Sequence, residues 1–169
     1  MADLMQVCAE SAVKRNSRIR TVFGDQGDPA VLRRWLAETG ALPPGGTPFD
    51  VIIDDGGHKN QQIKVTFDHF WPALAPGGLY FMEDLQVGRH KPFMDHSAEA
   101  YKYPPIAELM EAWTEQLVLA DTHAAHGNPF KWSKEVPAAW RAHPEIYELP
   151  ANVSFVHCQR EACVIGKSP

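Results

Sequence analysis

Acidic residues end two apolar runs of the sequence, and they are the groups best suited to chemistry. Asp54 and Asp55 close the run FDVIIDD, and Glu83 and Asp84 close the run LYFMED. His58 follows Asp55 after two glycines. Carboxylate oxygens are preferred ligands of hard divalent cations such as Mg²⁺. A neutral imidazole beside them could take a proton from a hydroxyl that the cation polarises.

Each of these residues also has a structural interpretation. An Asp after a strand often caps the following helix, and a His in a loop is often a surface or capping residue. Four carboxylates in one small space, however, repel one another unless a proton or a cation lies between them. Their spacing therefore favours a magnesium site with a histidine base at its side.

The elements that position these groups alternate between strand-like and helix-like patterns. The patterns predict strands over 19–25, 49–55, 79–83, 153–159 and 161–167, and helices over 4–15, 28–40, 60–75 and 105–120. This alternation predicts an α/β fold with a mostly parallel sheet and an antiparallel C-terminal edge. In such sheets ligands bind beyond the carboxyl ends of the strands, which is where the acidic residues lie.

Local signals mark several of the element ends. Asp28 is the expected N-cap of the second helix, Pro29 fits its first turn, and Gly40 is the expected stop. The segment 76–78, Pro-Gly-Gly, predicts a turn into the following strand.

Composition limits the class of protein. A length of 169 residues predicts a single domain over 1–169. A net charge of −5 argues against a nucleic-acid partner, and no apolar run reaches bilayer length, so no membrane partner is expected. Cys8, Cys158 and Cys163 are odd in number and show no CxxC spacing, so neither a disulfide framework nor a zinc site is expected. We therefore expect a reduced cytoplasmic protein.

Three segments together resemble a known family. GDQGD, FDVIIDDGGH and LAPGGLYFMEDL are similar to motifs of the class I S-adenosylmethionine-dependent methyltransferases. The likeness is strongest to the metal-dependent sugar O-methyltransferases of macrolide biosynthesis, whose pattern is strand-DDGSH, L-x-PGG and strand-ED. The resemblance is densest over residues 19–86.

The resemblance implies a role for each matched residue. It implies that Asp55, Glu83 and Asp84 are magnesium ligands and that His58 is the general base. It also implies that S-adenosylmethionine is bound by Asp25, Gln26 and Asp54. It implies a fold that is Rossmann-like, and an acceptor site lined by the loop 85–105. The implied activity is methylation of a hydroxyl on a sugar-like or small-molecule acceptor.

The resemblance is also incomplete. The family's strand order is 3-2-1-4-5-7-6, and strands 1 and 2, with the Gly-rich loop that follows strand 1, are not evident in this sequence. We therefore expect a methyltransferase, or the C-terminal part of one, and we expect this chain alone to bind S-adenosylmethionine weakly or not at all and to show no methyl transfer. A homo-oligomer and a missing N-terminal segment both stay open. The alternative function is a non-catalytic remnant or binding module of the same fold.

Overall fold

The computed structural model describes residue 16 and residues 18–119 and 137–169. The predicted helix over 4–15 and Cys8 lie outside these residues. Four strands form one sheet in the described part of the chain. They are β1 (Phe49–Asp54), β2 (Leu74–Met82), β3 (Val153–Gln159) and β4 (Ala162–Lys167).

The strands lie in the order β1-β2-β4-β3. β1 and β2 are parallel, whereas β4 is antiparallel to both β2 and β3. The α/β class and the antiparallel C-terminal edge are therefore confirmed. The order also reproduces the 4-5-7-6 portion of the family's sheet. Within the described residues the sheet is mixed, with one parallel pair and two antiparallel pairs.

The predicted strand over 19–25 is not a strand, so this prediction was wrong. The segment is irregular, and Ile19 and Phe23 are 41% and 44% exposed. A strand needs a neighbour in a sheet, and in the predicted order its neighbour is strand 2. The described residues contain no such strand, and the Phe23 carbonyl instead accepts hydrogen bonds from Arg34 and, at 3.1 Å, from Trp35 Nε1.

Three longer helices pack with the sheet, and local signals explain the first of them. The helices are α1 (Pro29–Thr39), α2 (Asn60–Phe70) and α3 (Ile106–Val118), followed by the short α4 (Ala138–Ala142) and α5 (Pro144–Tyr147). The Ala30 N–H donates to Asp28 Oδ1 at 2.8 Å, and Gly40 ends α1 with a φ of 76°. Both predicted caps are confirmed. No helix in the described ranges is long and apolar enough to cross a membrane.

The predicted turn at Pro-Gly-Gly, residues 76–78, was also wrong. β2 already begins at Leu74, which pairs with Phe49, and the register shifts before Val51 pairs with Leu79. The irregular segment thus lies inside β2, where a glycine with a φ of 74° at position 77 accommodates the shift.

The core lies on one face of the sheet and is centred on aromatic residues. Phe67 of α2 has ring-centroid distances of 5.2 Å to Trp71, 5.1 Å to Tyr80 and 5.2 Å to Trp113 of α3. All four side chains are buried. Contact between α2, α3 and β2 through these rings holds the loop before α2, and so the candidate site, against the end of the sheet.

A buried amide joins the same elements at their polar ends. Asn60, the first residue of α2, is 2% exposed. Its Nδ2 donates to the Gly88 carbonyl at 2.7 Å, and its Oδ1 accepts from the Ile106 N–H at 3.2 Å. One side chain therefore fixes the start of α2, the loop after β2 and the start of α3 relative to one another.

A disulfide joins Cys158 to Cys163, so the expectation of no disulfide was wrong. The two cysteines face each other across the β3–β4 ladder, with Cα atoms 4.1 Å apart. The spacing of the two cysteines in the sequence predicts this bond only when the register of the β3–β4 hairpin is known.

Candidate metal centre

The loops after β1 and β2 carry the candidate site. The last paired residues of these parallel strands are Asp54 and Met82, so Asp55 and Glu83 come next along the two chains. The Glu83 N–H donates to the Asp54 carbonyl at 3.0 Å, which continues the pairing by one step. The two acidic segments are therefore neighbours, as the sequence predicts.

Three side chains converge there. Asp55, His58 and Asp84 each offer one ligand atom, and these atoms lie within 4.8 Å of one another. His58 Nε2 is 3.5 Å from Asp84 Oδ2. Glu83 is not a member of this group, so its role as a metal ligand stays a prediction. Two carboxylates and one imidazole suit a divalent cation that keeps positions for water or a substrate oxygen.

The backbone at two of these residues adopts an unusual conformation. His58 and Asp84 have φ values of 56° and 54°, in the left-handed region that residues other than glycine seldom adopt. Such conformations cost about 1–3 kcal/mol each and persist where the surroundings enforce them. Gln86 Nε2 donates to Asp84 Oδ1 at 3.2 Å and so constrains the carboxylate itself.

Gln26 supports the loop that carries Asp55 and His58. Its Nε2 donates to Asp54 Oδ1 at 3.0 Å and to Thr66 Oγ1 at 3.3 Å, and its Oε1 accepts from the Gly57 N–H at 2.9 Å. A Cβ at Gly56 would lie 1.8 Å from Gln26 Oε1, so a larger residue at that position would force the Gln26 side chain to move. Both polar atoms of the amide are engaged with the protein, and contact with an adenine stays a prediction.

Asp54 is the buried carboxylate of the site. It is 7% exposed, and its Oδ2 has no hydrogen-bond partner. Burial raises the pKa of this carboxyl above its ordinary value, although hydrogen bonds from Gln26 and the Gly56 N–H oppose the shift. The contact of Asp54 with the cofactor stays a prediction.

Asp25 lies at the outer side of the same network. Its Oδ1 accepts from the Gly27 N–H at 2.7 Å and from Gln62 Nε2 at 3.2 Å. These hydrogen bonds, that from Gly27 first, lower the pKa of the Asp25 carboxyl. Gln62 and Gln86 were not singled out from the sequence. Their proximity to the acidic motifs is the signal that could have identified them.

We expect Gln26→Ala to destabilise the chain by about 1–3 kcal/mol, because it removes the donor to a buried carboxylate and the acceptor of the Gly57 N–H. Urea unfolding followed by circular dichroism measures this. Gln61→Ala is the matched control, since Gln61 makes one hydrogen bond, to the Gly27 carbonyl. Equal stability of the two variants would show that Gln26 does not support this loop.

Sequence comparison finds relatives that are named as O-methyltransferases. Demethylmacrocin O-methyltransferase of Streptomyces fradiae is 46% identical over 68 residues, which are 40% of this chain and 15% of that protein. The 8-demethyl-8-alpha-L-rhamnosyl tetracenomycin-C 2'-O-methyltransferase of Streptomyces olivaceus is 41% identical over 79 residues, 47% of this chain and 19% of that protein. Over these residues the chain is similar to part of proteins named as O-methyltransferases. No protein-family model matches it.

Structure comparison finds methyltransferase chains with a similar fold. The MycE methyltransferase from the mycinamycin biosynthetic pathway, in complex with Mg, SAH and mycinamycin VI, superposes with a TM-score of 0.56 at 24% identity. The superposition covers 90% of this chain and 33% of the MycE chain. A second MycE structure, with Mg and SAH, gives a TM-score of 0.58 at 23% identity. The fold is shared, and the chain spans about a third of the MycE chain.

Proposed function

We propose that this chain carries the metal- and acceptor-binding part of an S-adenosylmethionine-dependent O-methyltransferase. The acceptor is a sugar-like or other small molecule with a free hydroxyl, and the cation is Mg²⁺. The observation that carries the proposal is the convergence of Asp55, His58 and Asp84 within 4.8 Å at the ends of two neighbouring strands. The relatives named as O-methyltransferases and the MycE complexes with Mg and SAH support it.

The donor chemistry of the site suits the proposed cation. Asp55 and Asp84 would hold Mg²⁺ through carboxylate oxygens, and Glu83, one residue beyond β2, is the proposed third acidic ligand. When bound, Mg²⁺ would lower the pKa of a hydroxyl that it coordinates and would orient that hydroxyl. Asp55 is exposed and His58 and Asp84 are partly exposed, which leaves the site open to an acceptor.

His58 is the proposed general base. S-adenosylmethionine supplies the methyl group, and the proton of the acceptor hydroxyl must be taken up by the protein. The carboxylate of Asp84, 3.5 Å from His58 Nε2, would stabilise the imidazolium that results. On the cofactor side, Asp54 offers its unpaired Oδ2 and Asp25 and Gln26 lie close by.

We expect His58→Ala to lower turnover by about 100-fold or more in a catalytically active form of the protein, while cofactor affinity stays nearly unchanged. Transfer of a labelled methyl group to a rhamnoside acceptor measures turnover. His69→Ala is the control, because within the described residues the His69 ring bonds to the Val65 carbonyl of its own helix and to no other group. Unchanged turnover in His58→Ala would show that His58 is not the base.

We expect the 169-residue chain alone to bind S-adenosylmethionine weakly, with a dissociation constant above roughly 100 µM. Within the described residues β1 is the edge strand, and Val51 and Ile53 on it are 50% and 61% exposed. The described residues therefore do not form the wall of the cofactor pocket beyond the β1 edge. Calorimetric titration with Mg²⁺ present tests this. Micromolar binding by a monodisperse monomer would contradict it.

Two further properties belong to the same proposal. A cytoplasmic location is part of this proposal. The partner is then a small-molecule acceptor, and the exposed β1 edge is compatible with either a second copy or additional protein beside it.

A further inference from the structure

A pocket of about 730 Å³ lies next to the metal centre. It is formed by α3, the turn of the β3–β4 hairpin and the residues that follow Asp84. Its floor is apolar and includes Leu85, Met110 and the Cys158–Cys163 disulfide. Sites for small molecules commonly measure about 300–1,000 Å³ and are lined mainly by apolar side chains. The pocket therefore has the size and the lining of a small-molecule site.

The rim of the pocket is acidic. Glu111 and Glu115 lie one turn apart on α3, and Glu161 lines the opposite side from the hairpin turn. Neither helix carboxylate forms an ion pair with another residue in the described part of the chain, whereas Glu161 pairs with Arg160 at 3.1 Å. No lysine or arginine is among the lining residues in the described ranges. The two helix carboxylates thus give the mouth a negative potential that attracts a cation.

The pocket is continuous with the segment that fixes a candidate metal ligand. Leu85 and Gln86 line it and directly follow Asp84, to which Gln86 donates. The Leu85 N–H donates to the Glu161 carbonyl at 2.9 Å, which ties the acidic rim to the same segment. A ligand in the pocket would therefore lie against the residues that position Asp84.

We propose that this pocket binds an amphiphilic cation, an apolar body that carries a protonated amine. The apolar body lies on the floor around Met110 and Leu85, and the ammonium group lies at the rim between Glu111 and Glu115. Charge complementarity selects this ligand over a neutral or an anionic molecule of the same shape. Binding of this ligand does not depend on the proposed function. Its identity with the methyl acceptor does rest on the proposed function.

Three probes with the same ring separate charge from shape. They are 1-naphthylmethylamine, which is protonated at pH 7, 1-naphthylmethanol and 1-naphthoate. Each is titrated into the full chain with metal chelated and without cofactor, and binding is followed by ligand-observed NMR. The amine is expected to bind at least about threefold more tightly than the alcohol, since a charge near a partly exposed carboxylate gains roughly this much. The naphthoate is expected to bind most weakly.

Variants locate the site. The double variant Glu111→Gln, Glu115→Gln is expected to reduce the affinity for the amine to that for the alcohol. Glu38→Gln, which removes the same charge from α1 outside the pocket, is expected to change nothing. Ala107→Phe, at an exposed lining position, is expected to weaken all three probes by filling the pocket. Circular dichroism checks that each variant is folded.

Four results would overturn the inference. They are equal affinity of the three probes, a preference for the amine that survives the double variant, affinities that Ala107→Phe leaves unchanged, and no binding at millimolar concentration. The outcome is separable from that of the proposed function, because the titration contains neither metal nor cofactor. A chain that does not bind Mg²⁺ but prefers the amine would disprove the metal centre and leave this inference standing.

Discussion

Phe67→Ala is expected to destabilise the folded chain by about 3–5 kcal/mol, the usual cost of removing a buried phenylalanine ring. Phe67 is 2% exposed, and its ring contacts those of Trp71, Tyr80 and Trp113. The substitution would leave a cavity where α2, α3 and β2 meet. Large aromatic neighbours cannot easily move into such a space, so little of the lost contact would be recovered.

Unfolding by urea, followed by circular dichroism, measures this change. Phe155→Ala is the matched control, because Phe155 is 42% exposed on β3 and its truncation should cost less than about 1 kcal/mol. A Phe67→Ala variant no less stable than Phe155→Ala would show that the aromatic cluster does not hold the helices on the sheet.

Local signals in the sequence predicted the elements that depend on local structure. Asp28, Pro29 and Gly40 act within one turn of α1, and each is found in the predicted role. The helical spacing of Ile63 and Phe67 places both in the core, as α2 requires. Such features need no knowledge of distant residues, which is why they can be predicted from a single sequence.

The predictions that failed depend on partners distant in sequence. The segment 19–25 has a strand-like pattern, but strand formation requires a neighbouring strand, and that requirement is invisible in the pattern itself. The Cys158–Cys163 disulfide depends on the register of a hairpin, and the irregular start of β2 depends on where Phe49 pairs. Register is set by pairing across the sheet, not by composition.

The candidate site shows the same division. The proximity of Asp55 and Asp84 could be predicted because parallel strands end at the same edge of a sheet. The direction of each side chain could not, since it depends on the left-handed backbone of His58 and Asp84. The cluster contains His58 and not Glu83, a difference that the sequence alone did not reveal. The bonds from Gln26 to Asp54 and Gly57 span 28 and 31 residues and were equally hidden.

The double variant Asp55→Asn, Asp84→Asn is expected to lose divalent-cation binding. Asparagine keeps the shape of aspartate but carries no charge, and hard cations depend on carboxylate charge for affinity. Replacing residues around a metal commonly costs about 10–100-fold in affinity even where they do not touch the ion, so loss of two ligands should exceed about 100-fold. Both side chains are at least partly exposed, so the fold should be retained.

Two further variants give this prediction its controls. Asp50→Asn removes a carboxylate from an exposed position of β1 outside the cluster and should leave cation binding unchanged. Glu83→Gln tests the proposed third acidic ligand. A drop in affinity comparable to that of Asp84→Asn alone would assign Glu83 to the metal, and no drop would leave Asp55 and Asp84 as the carboxylate ligands.

Titration of the chain with Mn²⁺, with the free ion followed by electron paramagnetic resonance and displaced by Mg²⁺, tests the metal centre most directly. We predict one Mn²⁺ bound per chain, competition by Mg²⁺, unchanged binding in Asp50→Asn and loss of binding in the double variant. Binding of Mn²⁺ that is the same in the native chain and in Asp55→Asn, Asp84→Asn, or no binding by the native chain, would contradict the metal centre and with it the proposed function.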